Sequence, residues 1–274
     1  MAKKILILGA GGMLGADLVK AFSEEYDVVA WTHKDFDITD SFSFNKIKKL
    51  NPDIIINSAA YTAVDQAETE RDKAFLINSE AIISLSRVAD ECDAVLVNFS
   101  TDYVFSGEKN GGYVETDPPS GALNVYGRSK SKGEENLKAK KHYLIRTSWL
   151  FGKNGKNFVR TMIDLAAKNQ ELKIVADQIG KPTYTADLAQ AVFDLMKDMP
   201  EFGIYHLVNE DAVSWCDFAK EIFKIKGIDV KVTPVTSAEF VRPATRPKNS
   251  ILDNTKRPKL RSHTEALKSY LKEI

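Results

Sequence analysis

The sequence predicts an α/β fold in which a doubly wound, mostly parallel sheet is joined to a smaller, discontinuous α/β lobe. Three observations point there. An apolar run from Ile5 to Leu8 gives way to a glycine-rich turn, strand-like and helix-like segments then alternate as far as Thr147, and beyond Phe151 the alternation weakens around Pro182 and Pro243 to Pro247. Strand and helix in alternation cover both faces of a parallel sheet, and a strand covered on both faces reads as an unbroken apolar run.

The elements follow in order. Lys3 and Lys4 lead into Ile5-Leu6-Ile7-Leu8, a buried parallel strand, which meets Gly9, Gly11, Gly12 and Gly15. The spacing is Gly-x-x-Gly-x-x-Gly, because Leu14 stands where a Gly-x-Gly-x-x-Gly pattern would end. Glycine here permits a tight strand-to-helix turn, lets the backbone approach a pyrophosphate and brings helix against sheet. Free N–H groups at the helix start favour the phosphate charge. Leu14, Leu18, Ala21 and Phe22 give the next segment an apolar stripe at helical spacing. Strand, glycines and helix thus stand in the order of a Rossmann-type dinucleotide site, with Gly9, Gly11, Gly12, Met13, Leu14 and Gly15 at the cofactor.

Next come a strand from Asp27 to Thr32, a helix near Phe42 to Leu50, a strand from Asp53 to Asn57, a long helical stretch from Val64 to Glu91, and a strand from Ala94 to Phe99. A helix carrying Tyr126 and a strand from His142 to Thr147 complete the alternation. Helices are expected near Phe158 to Lys168, Ala186 to Lys197 and Trp215 to Lys224. The division is a dinucleotide-binding domain over 1–150 and a second lobe over 151–274, with part of 184–208 returning to the first sheet.

Composition excludes several function classes. The 274 residues, 43% hydrophobic and 28% charged, suffice for a sizeable core and one large domain or two. With 38 Lys plus Arg against 38 Asp plus Glu there is no basic field to draw in nucleic acid. Cys92 and Cys216 form no close pair, so neither a disulfide framework nor a thiolate metal site is expected, and a reducing cytoplasm fits. The opening lysines and apolar run resemble a signal peptide, but glycine breaks the run too early. No stretch reaches the ~20 apolar residues of a membrane span.

The chemistry is expected at the end of the strand that runs into Ser100-Thr101-Asp102. Of 9 tyrosines only Tyr126 has lysine four residues on, at Lys130. One helical turn puts phenol and ammonium on one face, and strand ends are where an open α/β sheet holds its ligands. A hydride arriving at a carbonyl carbon leaves negative charge on the oxygen, so a proton donor and a second hydrogen-bond donor are needed there. Tyr126 would be the acid and Thr101 the second donor. An unperturbed phenol titrates near ~10, and Lys130 is expected to stabilise the phenolate and lower that value.

The strings GAGGMLG at 9–15, NSAAYTAVDQAE at 57–68, STDYVFSG at 100–107, NVYGRSK at 124–130, RTSWLFG at 146–152, NFVRTM at 157–162, DQIGKPT at 177–183 and RPKNS at 246–250 resemble the extended short-chain dehydrogenase/reductase family. Along nearly the whole chain the pattern is similar to its dTDP-4-dehydrorhamnose reductase branch. The resemblance implies reduction of the C4 ketone of dTDP-4-dehydro-L-rhamnose to dTDP-L-rhamnose, a polysaccharide precursor. It implies Tyr126 and Lys130 as catalytic groups that also touch the cofactor, with Ser100, Asp37, Ile38, Ala59, Ala60 and Tyr61 as further cofactor contacts.

Thr32, His33 and Lys34 could pair with a 2′-phosphate, against the nearby Asp35, so NADPH is expected with NADH tolerated. For a dTDP-sugar the resemblance implies Thr101, Asp102, Val104 and Tyr126, with Trp149 against the deoxyhexose, and Asn157, Gln178, Pro182, Thr183 and Arg246 at the nucleotide and pyrophosphate. Some members hold a divalent cation through glutamates at a dimer contact. Here Asp17 and Asp187 stand near those places, so no metal is expected, and the chain is a monomer or homodimer. Two other functions share these motifs: an epimerase or dehydratase of nucleotide sugars, which recycles its cofactor, and a non-catalytic NADP-binding regulatory subunit. A dehydratase needs an acid–base pair beside the tyrosine, whereas Asp102 and Val104 flank Tyr103 here.

Overall fold

The computed structural model describes residues 2–274. In chain order the elements are β1 (Lys4–Leu8), α1 (Met13–Phe22), β2 (Asp27–Trp31), α2 (Phe44–Leu50), β3 (Ile54–Asn57), α3 (Arg71–Phe75), α4 (Ala81–Glu91), β4 (Val95–Thr101), α5 (Val125–Asn136) and β5 (His142–Thr147). There follow β6 (Leu150–Phe151), α6 (Phe158–Ala166), β7 (Glu171–Val175), β8 (Ile179–Gly180), β9 (Thr183–Tyr184), α7 (Thr185–Asp198), β10 (Gly203–His206), β11 (Val213–Ser214), α8 (Trp215–Lys226), β12 (Lys231–Val235) and α9 (His263–Leu271).

Six strands form the main sheet in the order β2-β1-β3-β4-β5-β10, and every pairing is parallel. Apolar side chains of β1 alternate between its faces. Ile5 and Ile7 pack with Leu18 and Phe22 of α1 and Leu188 and Val192 of α7, while Leu6 and Leu8 pack with Ile47 of α2 and Leu85 of α4. Fully burying each such chain contributes about 1.5–3 kcal/mol. The order reverses between β1 and β3, so the C-terminal ends of β1, β3 and β4 border the crevice where such sheets bind ligands.

The chain leaves this sheet after β5 and comes back through α7 and β10. A second core, built around Phe151, Met162, Leu172, Phe218, Ile222, Leu267 and Tyr270, gathers α6, α8, α9 and the parallel pair β7/β12. β7, β12 and α9 have no counterpart in the sequence reading. β7 buries only Leu172 and Ile174, too short an alternation to stand out, and Pro234 inside β12 marks an edge strand.

The expected long helical stretch over 64–91 is found as a 3-10 turn at Gln66–Glu68 followed by a continuous helix in which α3 and α4 are joined through a π turn at Leu76–Glu80. The reason lies at Asn78, whose amide accepts from the Tyr61 N–H at 2.9 Å and donates to the Tyr61 carbonyl and the Ser129 hydroxyl, both at 3.0 Å. The widened turn brings Asn78 inward, fixing the loop after β3 against α5. Such turns recur beside functional sites.

Candidate active site

The glycine turn fits a dinucleotide phosphate. Gly9 has φ +75°, and a Cβ there would lie 2.7 Å from the Ala59 nitrogen; a Cβ on Gly15 would lie 2.1 Å from the Gly9 carbonyl oxygen. Only glycine permits that conformation and that contact between helix and turn. Gly12 caps α1 without any side chain accepting its first N–H groups, so those donors face an anion unopposed. Gly11 and Gly12 are exposed, Met13 is half-buried and Leu14 turns into the core.

Around this turn, Ala59 and Ala60 are half-buried and Tyr61 is buried. Just beyond the end of β2, Asp35 is exposed but engaged: its carboxylate accepts from the Thr32 N–H at 2.9 Å and hydroxyl at 2.7 Å. Those bonds hold it below the usual carboxylate range, and His33 and Lys34 beside it are exposed as well. Asp37 binds the Thr39 N–H and hydroxyl, and Ile38 is buried.

Tyr126 is the second residue of α5. Asn124 caps the helix, accepting from the Gly127 N–H at 2.7 Å and donating to the Thr245 carbonyl at 2.7 Å, which ties the helix start to the proline-rich segment. Tyr126 shares a side-chain hydrogen bond with Thr101, and burial, with the Asp102 charge adding, pushes its phenol up to about 12. Lys130 is 7% exposed; its ammonium donates to the Phe99 carbonyl at 2.6 Å, and burial pushes it down to about 8. The expected lowering of the phenol by Lys130 is therefore absent from the cofactor-free protein. Burial outweighs the Thr101 hydrogen bond, and the Lys130 ammonium is turned toward the backbone of β4.

Thr101 also departs from expectation. Its hydroxyl donates to Asp102 Oδ1 at 2.8 Å, so the single proton meant for a substrate oxygen is engaged. Asp102 is 2% exposed, and burial raises its carboxyl to about 6 although Ser250 and Thr101 oppose this; its Oδ2 has no partner. It is buried beside Thr101. Val104 is wholly buried with Phe105, Tyr113, Val208 and Leu252. Ser100 donates to Glu134 at 2.5 Å.

The second lobe supplies the opposite wall. Trp149, with φ +48°, stacks on Trp215 at 3.4 Å between ring centroids and 3° between planes, and its buried Nε1 has no partner. Asn157 caps α6, accepting from the Arg160 N–H at 3.1 Å and donating to the Gly152 carbonyl at 2.8 Å and the Tyr270 hydroxyl at 3.1 Å. Its amide is thus taken up by the fold, near Met13 of the glycine turn. Gln178 donates to Ser237 at 2.9 Å, Pro182 is buried, and Thr183 is wholly buried. Thr101, Asn157 and Gln178 thus each have a partner within the protein, at Asp102, at Gly152 and Tyr270, and at Ser237 respectively.

Arg246 is held by a carboxylate in place of a phosphate. It donates to Asp65 Oδ1 at 2.8 Å and to the Ala244 carbonyl at 2.6 Å, and hydrogen-bonds Tyr103. Arg242 binds the same Asp65, whose carboxyl is held well below the usual range by the two guanidiniums against its own burial. Asp65, Tyr103, Trp215 and Glu134 were not singled out by the sequence reading. Glu134 alone had a spacing clue, eight residues beyond Tyr126. Asp17 accepts from Thr185, and Asp187 is clamped by Arg261 at 2.7 and 2.8 Å and by Asn209 at 2.8 Å. Both carboxylates therefore have internal partners, and among the described residues no cluster of three His, Cys, Asp or Glu is placed to hold a metal.

The family model described as RmlD substrate binding domain matches residues 3–274. The chain belongs to this family. Among its relatives, a dTDP-4-dehydrorhamnose reductase of Aggregatibacter actinomycetemcomitans is 41% identical over 269 residues, 92% of this chain and 91% of the relative. The spore coat polysaccharide biosynthesis protein SpsK of Bacillus subtilis is 42% identical over 280 residues, 98% and 97% of the two chains. A crystal structure of dTDP-4-dehydrorhamnose reductase from Bacillus anthracis in complex with NADP matches with a TM-score of 0.96 at 40% identity, covering 100% of both chains. The family match spans the glycine turn and the second lobe alike. No helix among the described residues is long and apolar enough to cross a membrane.

Proposed function

We propose that this chain reduces the C4 ketone of dTDP-4-dehydro-L-rhamnose to give dTDP-L-rhamnose, with NADPH as reductant and NADH tolerated. The observation that carries the reading is the placement of Tyr126 and Lys130 on one face of α5, beside Thr101 at the end of β4, in a chain of the RmlD family. The reduced nicotinamide supplies the hydride when it is bound. Tyr126 gives its proton to the carbonyl oxygen, and a phenol that resists ionisation in the free protein is a stored proton donor. Lys130, on the same helix face as Tyr126, donates to the Phe99 carbonyl and would turn to a ribose hydroxyl of the bound cofactor. Thr101 becomes a second donor to the substrate oxygen once its hydroxyl leaves Asp102.

Thr32, His33 and Lys34 receive the 2′-phosphate, and Arg246 with Trp149 anchors the nucleotide sugar from the second lobe. In this reading the chain divides into two lobes at about residue 150, with α7 and β10 belonging to the first, and the sugar lies between them. In this reading the protein works in the cytoplasm as a monomer or homodimer and carries no metal. The test supplies dTDP-4-dehydro-6-deoxy-sugars with NADPH and follows the nicotinamide absorbance. One NADPH consumed per product is expected. Turnover with no net loss of NADPH would instead mean an epimerase or dehydratase, and no turnover of any such sugar would overturn the reading.

A further inference from the structure

We propose that Glu134 is a positioning residue for Lys130: clamped by Arg146, its carboxylate is the counter-charge that keeps the buried ammonium protonated. The proposal rests on reading Tyr126 and Lys130 as the catalytic pair. Tyr126, Lys130 and Glu134 succeed one another at four-residue intervals in α5, which puts all three on one helix face. The side chain of Glu134 is 6% exposed and that of Arg146 is 0% exposed, with Nη2 to Oε2 at 2.8 Å and Nε to Oε1 at 3.0 Å. Arg146 is itself fixed, donating to the Asp117 carbonyl at 3.2 Å and lying over the Phe105 ring at 5.0 Å.

A buried ion pair of this kind is a weak stabiliser, because desolvating two charges offsets most of their attraction and an apolar pair of similar volume serves as well. Its position behind the active lysine calls for another explanation. The charged and titratable groups around Lys130 are Tyr126 and Glu134 on its own helix, Asp102 beyond the end of β4, Arg146 on β5, and His206 on β10 behind Arg146. His206 faces Arg146 at 3.4 Å, and burial and that cation push it down to about 4, so it is uncharged at neutral pH. Arg146 is neutralised by Glu134. Burial lowers Lys130 and the Glu134 charge opposes it. Without Glu134, the lysine would face desolvation and an unpaired guanidinium together, and both favour the neutral amine.

The test follows the Lys130 Nζ titration by NMR in cofactor-free protein labelled at lysine, with Lys130→Arg assigning the resonance, so it does not depend on any substrate being turned over. Glu134→Gln is expected to move the midpoint down by at least about one pH unit, and Glu134→Asp to restore most of it. Because Glu134→Gln leaves Arg146 unpaired and could unfold the protein, the double variant Glu134→Leu/Arg146→Met, which leaves no orphaned charge, is measured beside it; a downward shift is expected there too. In turnover assays the alkaline limb of kcat/KM should move with the NMR midpoint. A folded Glu134→Gln or double variant with the wild-type midpoint overturns the proposal, as does Glu134→Asp shifting it as far as Glu134→Gln. Absence of turnover in the wild type with the expected midpoints would instead sink the assigned reaction alone.

Discussion

Replacing Asp102 by asparagine should make the protein more stable at neutral pH. The carboxyl is raised from 3.8 to about 6 by burial, and its Oδ2 has no hydrogen-bond partner. A group whose folded value lies above its unfolded value binds more protons folded than unfolded between the two. The charged form is therefore a penalty, full above pH ~6 and absent below pH ~4, amounting to about 3 kcal/mol at one unit per ~1.4 kcal/mol. Asparagine keeps an oxygen to accept from Thr101 and carries no charge, but its amide must find an acceptor near Ser250, so a net gain of about 1–2 kcal/mol is expected. Urea unfolding of both proteins at several pH values from 4 to 8 measures it. The variant's advantage should be largest at pH 7–8 and close toward pH 4. A difference independent of pH, or a variant less stable at pH 8, would refute the reasoning.

Tyr126→Phe should lower kcat by about 10²–10⁴ while leaving the Kd for NADPH nearly unchanged, since only a proton is lost; wild-type turnover would remove Tyr126 as the acid. Lys34→Ala should weaken NADPH by about 1 kcal/mol, roughly fivefold, and NADH hardly at all, which fluorescence titration with the two cofactors reads; equal effects would end the 2′-phosphate argument. Trp215→Ala removes the ring stacked on Trp149, and an aromatic pair contributes about 0.5–1.5 kcal/mol, so KM for the dTDP-sugar should rise up to about tenfold at constant NADPH affinity.

The sheet was legible because its strands are apolar on both faces: β1 and β3 read as unbroken runs, and the glycines after β1 mark a turn no other residue can make. Tyr126 and Lys130 were legible because helix geometry converts a spacing of four into a shared face. What resisted was set by distant partners. Asp65 meets Arg246 across 181 positions of chain, and Trp149 meets a Trp215 far along the chain, so no local pattern announces either pair. The electrostatics failed for a related reason. A lysine beside a tyrosine in sequence says that their charges can interact, but the sign of the net effect on the phenol depends on burial, and burial is a property of the whole fold.

The polar groups beneath the crevice share one feature: Asp102, Lys130, Glu134 and Arg146 are all buried where the C-terminal half of β4 meets α5 and β5. Burial alone would drive Asp102 and Lys130 toward their neutral forms, and their values near 6 and 8 bracket neutral pH. At pH 7 both are then mainly charged, yet each lies within about one unit of changing state, so a ligand that brings charge or excludes water moves them easily.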